Sequence, residues 1–203
     1  HCVDLGSRMD DTLNQLKMNR AFKKIGKIAI TGCGSVPGIG NVMLAHAAKK
    51  FDSIESIDAG FAWDSNIKKF VVPFSIESIL EEYTLKAPYI QGGRLRRMRS
   101  TESARIRHFR VIGPQKIFLA DHAEIVTFYY YFKRMGVRNI RFYAGFPTHS
   151  DKVINTLVDL TFHQQQRVPI QGKEILPDEF LVQMLKRLHI PRGYKEWENL
   201  WVE

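Results

Sequence analysis

The feature that most constrains this chain is the segment Thr31-Gly32-Cys33-Gly34-Ser35-Val36-Pro37-Gly38-Ile39-Gly40-Asn41, a glycine-rich loop set between an apolar run and an amphipathic stretch. A strand, a tight loop and a helix N-terminus in that order present backbone N–H groups and the positive end of a helix dipole, which suits anionic groups. The spacing departs from the dinucleotide fingerprint G-x-G-x-x-G, because Gly32, Gly34 and Gly38 carry an extra residue before the third glycine. Pro37 removes one backbone donor and restricts Val36. Asp58 ends the next apolar run, where a ribose-binding carboxylate would lie. The chain beyond it is rich in short strands and lacks the β-α alternation of a doubly wound sheet. The loop is therefore read as something other than a phosphate cradle.

With 203 residues, 44% of them hydrophobic and 25% charged, the chain has material for one substantial core or two small ones. No stretch approaches the roughly 18 to 20 apolar residues of a membrane span, and the polar N-terminus has no signal-peptide core. No membrane partner is implied. Cys2 and Cys33 are too few for a disulfide framework and lack metal-ligand spacing, which makes a reducing, cytoplasmic compartment the default. The net charge of +9 raises nucleic acid as a partner. Much of the excess lies in Arg94, Arg96, Arg97, Arg99, Arg105, Arg107 and Arg110. Alternation with Ile106 and His108 puts Arg105 and Arg107 on one face, read as the solvated face of an antiparallel sheet. No nucleic-acid-binding motif accompanies them.

Periodicity gives a helix from Ser7 with Met9, Leu13 and Leu16 in step, ended by Gly26, then a short buried strand over 27–31. A helix from Pro37 places Ile39, Val42, Met43, His46 and Ala47 on a core face, with His46 a core histidine. Strands over 53–61 and 68–72 flank an Asp64-Ser65-Asn66 turn, and Ser75 caps a helix burying Ile76, Ile79, Leu80 and Tyr83. Strands over 89–91 and 95–98 flank a Gly92-Gly93 turn, followed by strands over 105–111 and 116–119. A helix from Glu124 buries Ile125, Phe128, Tyr129 and Phe132, and a strand spans 137–144. Ser150 caps a helix with Val153, Ile154, Leu157 and Val158 inward. Gln164-Gln165-Gln166 and Gly172 mark a linker, and Pro177 starts a helix with Phe180, Leu181, Met184 and Leu185 inward. A last strand begins at Trp197. The mixture is of the α+β class, a mixed or largely antiparallel sheet with helices packed on one side. Both ends read as cut from a larger protein.

With the elements laid out, the chain resembles the saccharopine dehydrogenase-like family, in the region that follows its N-terminal nucleotide-binding domain. His1-Cys2-Val3-Asp4-Leu5-Gly6 is similar to the family's H-Y-V-D-L-G, and the segment from Gly32 to Val42 to its G-x-G-x-x-P-G-x-x-N-V loop. Pro73-Phe74-Ser75 with Glu82-Tyr83 resembles P-F-S…E-Y, and the segment from Asp121 to Thr127 resembles D-H-P-E-V-V-T. Gly136-Val137-Arg138 and Gly145-Phe146-Pro147 complete the series in order. The resemblance implies that residues 1–36 leave the nucleotide domain and that 37–203 form a substrate-binding and dimerisation domain. It implies an oxidoreductase using NAD or NADP on an amino-acid or polyamine-type secondary amine through its imine. It further implies a homodimer and no dinucleotide held tightly by this segment. Two departures bear on the substrate: Val36 stands where saccharopine-forming members carry Asp, and Ala59 where they carry Cys. Saccharopine itself is thereby disfavoured, and the carboxynorspermidine-type branch is nearer.

An imine-reducing site needs a proton donor near nitrogen, anion recognition and a dry pocket. Ser35 and the helix N-terminus opening at Pro37 and Gly38 suit a carboxylate, with Asn41 one turn inward. Phe74 offers an apolar wall and Ser75 a donor. His122 and Glu124 are the close acid/base pair, with Thr127 placed to orient either; the competing reading makes them a loop pair capping the next helix. No metal site is read. A non-catalytic binding or scaffold domain, and a basic nucleic-acid binder, are the alternative functions.

Overall fold

The computed structural model describes residues 1–6, 8–72 and 74–203. The expected Ser7 cap and the Pro73 of the P-F-S motif lie outside the described residues. Strand β1 (Cys2–Val3) leads into helices α1 (Met9–Lys17) and α2 (Asn19–Lys24), then β2 (Ala29–Ile30), which pairs in parallel with β1. Next come α3 (Ile39–Ala48), β3 (Ser56–Ser65), α4 (Ile76–Thr84) and the hairpin β4 (Lys86–Gln91) and β5 (Arg94–Arg99). The one-turn helix α5 (Ser100–Ser103) precedes a second hairpin, β6 (Arg105–Phe109) and β7 (Gly113–Leu119). Helix α6 (Glu124–Phe132), β8 (Asn139–Gly145), α7 (Thr148–Asp159), hairpin β9 (Val168–Ile170) and β10 (Lys173–Ile175), α8 (Pro177–Leu185) and β11 (Glu196–Val202) complete the chain.

The large sheet is built around β3, whose Ile57, Ala59, Phe61 and Trp63 alternate into one core while Gly60 and Ala62 face the other side. Apolar residues on both faces make it a central strand. It runs parallel to β8 along Ser56–Ala62 and antiparallel to β11 from Ser65↔Glu196 to Ala59↔Val202. The far edge of β8 is divided: Ile140 meets Ile90 of β4, and Tyr143 to Gly145 meet β7. Helices cover one face, where Ile79 of α4, Ile125 and Phe128 of α6, Ile154 of α7 and Leu181 of α8 pack against Phe118, Phe142 and Phe146. Each large side chain so buried contributes about 1.5–3 kcal/mol. The α+β architecture with helices on one side is thus as the sequence implies.

The other face carries arginines laid on rings. Arg105 sits 4.3 Å from the Tyr143 ring centre and Arg107 sits 4.8 Å from that of Trp201. Both are also ion-paired, Arg105 to Asp58 and Arg107 to Glu203. The arginines do lie on a solvated face of an antiparallel pair, as expected, and Arg105 and Arg107 also lay their guanidinium planes over the rings beneath. Asp58 also accepts from Arg141 Nε at 2.7 Å, so it is an arginine-held carboxylate of the sheet.

Other expectations are corrected by pairing and packing. The strand expected over 68–72 is absent, and β3 instead runs on to Ser65 because β11 pairs along its length. The strand over 27–31 shrinks to the exposed pair Ala29 and Ile30, and the preceding Ile28 is exposed as well. Helix α3 buries Gly40, Leu44 and Ala48, leaving Ile39, Val42, Met43 and His46 outward, so His46 is not a core residue. A helix apolar on nearly all sides gives periodicity little to choose between faces. Helix α8 turns Leu181 and Val182 inward and leaves Phe180 and Met184 exposed. Ser150 is not a cap; the helix opens after Pro147 and Ser150 is buried within its first turn. The expected linker contains the β9–β10 hairpin, turned at Gln171 and Gly172.

Candidate functional site

The glycine loop closes on itself. Gly34 N–H donates to the Pro37 carbonyl at 2.7 Å, Ile39 N–H to that of Gly34 at 3.1 Å, and Gly40 N–H to that of Ser35 at 3.2 Å. Gly38 N–H donates to Asn41 Oδ1 at 3.0 Å. Gly38 has φ +140°, and a Cβ there would strike the backbone of Gly34. The glycines therefore serve the loop's own close approach. The amides of Gly34, Gly38, Ile39 and Gly40 are engaged within the loop, which leaves fewer donors for a phosphate than a dinucleotide cradle presents.

Beside the loop lies a cleft of about 300 Å³. Ser35, Val36 and Pro37 form one wall, Phe61 and Phe74 supply apolar surface, and α4 presents Ser78, Glu81 and Glu82, with Leu85 just beyond it. Gly6 and Arg8 close it from the segment before α1, Asp121 and His122 from the loop before α6, and Glu198 from β11. Asp121 Oδ1 accepts the Met9 N–H at 3.0 Å, so the α6 loop caps α1 from a distance and holds Arg8 at the cleft. Arg8 pairs with Glu81 at 3.0 Å.

His122 is fixed on two sides. Its Nδ1 lies 3.0 Å from Glu124 Oε2, and its ring stacks on Phe142 at 4.0 Å between centres. Glu124 is fully buried, and its Oε1 has no hydrogen-bond partner among the described residues. Burial works against the imidazolium as the largest single influence. Glu124, by charge and hydrogen bond, together with Glu82 and Asp121, outweighs it and raises the His122 pKa. Glu82 has one oxygen, Oε2, closed from solvent and unpartnered among the described residues. Burial pushes its carboxyl up to about 7, against the pull of the His122 charge and with the help of Asp121 and Glu81. At the rim, burial and Glu196 raise the Glu198 carboxyl.

Of the residues expected from the sequence, Ser35, Pro37, Phe74 and His122 line the cleft. The others stand behind it. Asn41 Nδ2 donates to Thr127 Oγ1 at 3.1 Å, tying α3 to α6. Ser75 Oγ accepts from Ser78 N–H at 3.3 Å as the cap of α4, and Gly38 and Glu124 are held as described. Sequence reasoning missed Arg8, Glu81, Glu82 and Glu198 as cleft residues. One signal was available: Ser78, Glu81, Glu82 and Leu85 fall at i, i+3, i+4 and i+7 beside the buried stripe of α4. Among the described residues no group of His, Cys, Asp and Glu side chains could hold a metal ion, and no helix is long and apolar enough to cross a membrane.

No family model matches the chain. It is 27% identical over 172 residues to carboxyaminopropylagmatine dehydrogenase of Synechocystis sp., a match covering 81% of this chain and 41% of that protein. It is 28% identical over 181 residues to carboxynorspermidine synthase of Vibrio cholerae, covering 86% of this chain and 42% of that protein. Among solved structures, apo saccharopine dehydrogenase (L-Glu forming) from Saccharomyces cerevisiae shares the fold with a TM-score of 0.63 at 12% identity, over 85% of this chain and 41% of that one. The chain thus spans about two fifths of the length of these relatives. These likenesses agree with the saccharopine dehydrogenase-like resemblance carried by the motifs.

Proposed function

We propose that this chain is the substrate-binding part of a saccharopine dehydrogenase-like oxidoreductase acting on a carboxylated, polyamine-type secondary amine or its imine. The observation that carries this reading is the charge of the cleft. In a chain of net charge +9, the cleft gathers Glu81, Glu82, Asp121 and Glu198 against only Arg8 and His122. A linear di- or triamine carries cations spaced by methylenes, which match separated carboxylates set among apolar walls such as Phe61 and Phe74. Arg8 is the group suited to a substrate carboxylate, since a guanidinium binds it in a planar fork. The two curated relatives are named for carboxylated amines, which supports the same class.

The redox partner proposed for the whole protein is NAD or NADP, held away from the glycine loop, where the Gly34, Gly38, Ile39 and Gly40 amides are already engaged. Residues 1–36 then join the nucleotide-binding part to the substrate domain of 37–203, and two copies pair in the working enzyme. Calorimetric titration with a linear triamine, its N-carboxyalkyl derivative and a dicarboxylic amino acid tests the reading. The carboxyalkyl triamine should bind tightest, and Glu198→Gln should weaken the triamine several-fold while leaving the dicarboxylate unaffected. Preference for the dicarboxylate overturns the proposal.

A further inference from the structure

We infer that Glu82 is the residue that exchanges a proton with the substrate's secondary nitrogen, and that the His122–Glu124 pair is a fixed positioning cation beside it. The assignment rests on the function proposed above and names the residue at work in that cleft. Glu82 lines the cleft with its Oε2 shut off from solvent and lacking any partner among the described residues. An unpartnered buried acceptor costs about 1–3 kcal/mol. A protonated oxygen, or a ligand N–H placed against it, removes that cost.

His122 is the obvious rival, and its surroundings argue against it. Its Nδ1 is engaged by Glu124 at 3.0 Å and its ring is clamped on Phe142. If the ring gave up its proton, the fully buried Glu124, whose other oxygen has no partner among the described residues, would keep an uncompensated charge. Breaking a buried pair in this way is strongly unfavourable. His122 therefore holds its proton more tightly than a free imidazole, and its positive charge steadies the carboxylate form of Glu82.

The charges facing Glu82 come from several elements. Glu81 lies on its own helix, Asp121 and His122 on the loop before α6, Arg8 before α1, and Glu198 on β11. Burial, with Asp121 and Glu81 and against His122, raises the carboxyl to about 7, where it can both take and return a proton near neutrality. In the exchange the Glu82 carboxylate takes the proton of a secondary ammonium. An O–H bond forms as the N–H bond breaks, and the electron pair remains on nitrogen as the lone pair of the free amine. In the opposite direction the carboxyl returns the proton, and the charge is restored.

Two measurements on the full-length protein test this. Infrared difference titration should show a carboxylic acid band persisting to about pH 7 in the wild type and missing in Glu82→Gln. Kinetics should show the acid limb of kcat lost in Glu82→Gln, with kcat lowered a hundredfold or more, KM changed much less, and Glu82→Asp partly active. In Glu124→Gln, loss of the His122 charge should move the limb to higher pH, a change that a merely structural role would not produce. Retention of both limb and rate in Glu82→Gln overturns the assignment while leaving the function standing. Absence of amine oxidation by the wild-type protein overturns the function and the assignment together.

Discussion

A fully buried carboxylate that holds a histidine by one oxygen and, among the described residues, nothing by the other is a costly arrangement, and at Glu124 its effect is to favour the charged form of His122. The consequence for stability has a definite sign. The His122 pKa is raised from its ordinary 6.5, burial opposing and Glu124 prevailing, so its contribution is complete below about 6.5 and is lost as pH climbs through the folded value. Glu82, raised chiefly by burial from 4.5 to about 7, acts in the same direction at lower pH, because the folded chain keeps a proton that the unfolded chain releases. Urea midpoints should therefore fall as pH rises through this range. Glu82→Gln should flatten the part between 4.5 and about 7, and Glu124→Gln the part above 6.5. At this scale His122 and Glu124 were legible in the sequence because they lie two residues apart. Glu82 and Arg8 were not, since they meet in one cleft only through the fold, where Asp121, remote in the chain, receives the Met9 N–H beside Arg8.

That long-range cap decides the placement of an element. Helix α1 has no side-chain cap from Arg8, so Asp121 supplies one, and Asp121→Ala should cost about 1 kcal/mol in urea unfolding, with Asp121→Asn recovering most of it. Strand β3 makes a second prediction. A Cβ on Gly60 would meet the Trp201 ring at 2.5 and 2.9 Å and crowd the Tyr143 carbonyl as well. Gly60→Ala should lose about 1–3 kcal/mol, and a double-mutant cycle with Trp201→Leu should show coupling between the sites. Elements with one clear apolar stripe were readable: Ile76, Ile79, Leu80 and Tyr83 of α4 are all buried, as their spacing demands. Helices α3 and α8 were not, because surplus apolar residues such as Val42, Met43, Phe180 and Met184 blur the stripe, and tertiary contacts choose the face. The extent of β3 was likewise hidden, being set by a partner strand at the other end of the sequence.

Across the whole molecule the positive charge is sorted. Carboxylates collect in the cleft, while Arg94, Arg96, Arg97 and Arg99 stand exposed on β5, at an edge of the sheet. An edge so guarded resists addition of an identical strand, since like charges would face one another. Copies that pair along β5 should therefore associate more tightly as salt is added, which sedimentation velocity at two ionic strengths would show. The order in which the sheet is assembled has its own consequence. β3, apolar on both faces, is made before every strand that covers it; β8 comes far later and β11 later still. A growing chain therefore carries a sticky ten-residue segment from Ser56 to Ser65 with neither neighbour available until β8 is made, about seventy residues later. Pairings so distant in sequence slow folding, so this central strand is where chaperone capture and aggregation of the nascent chain should concentrate.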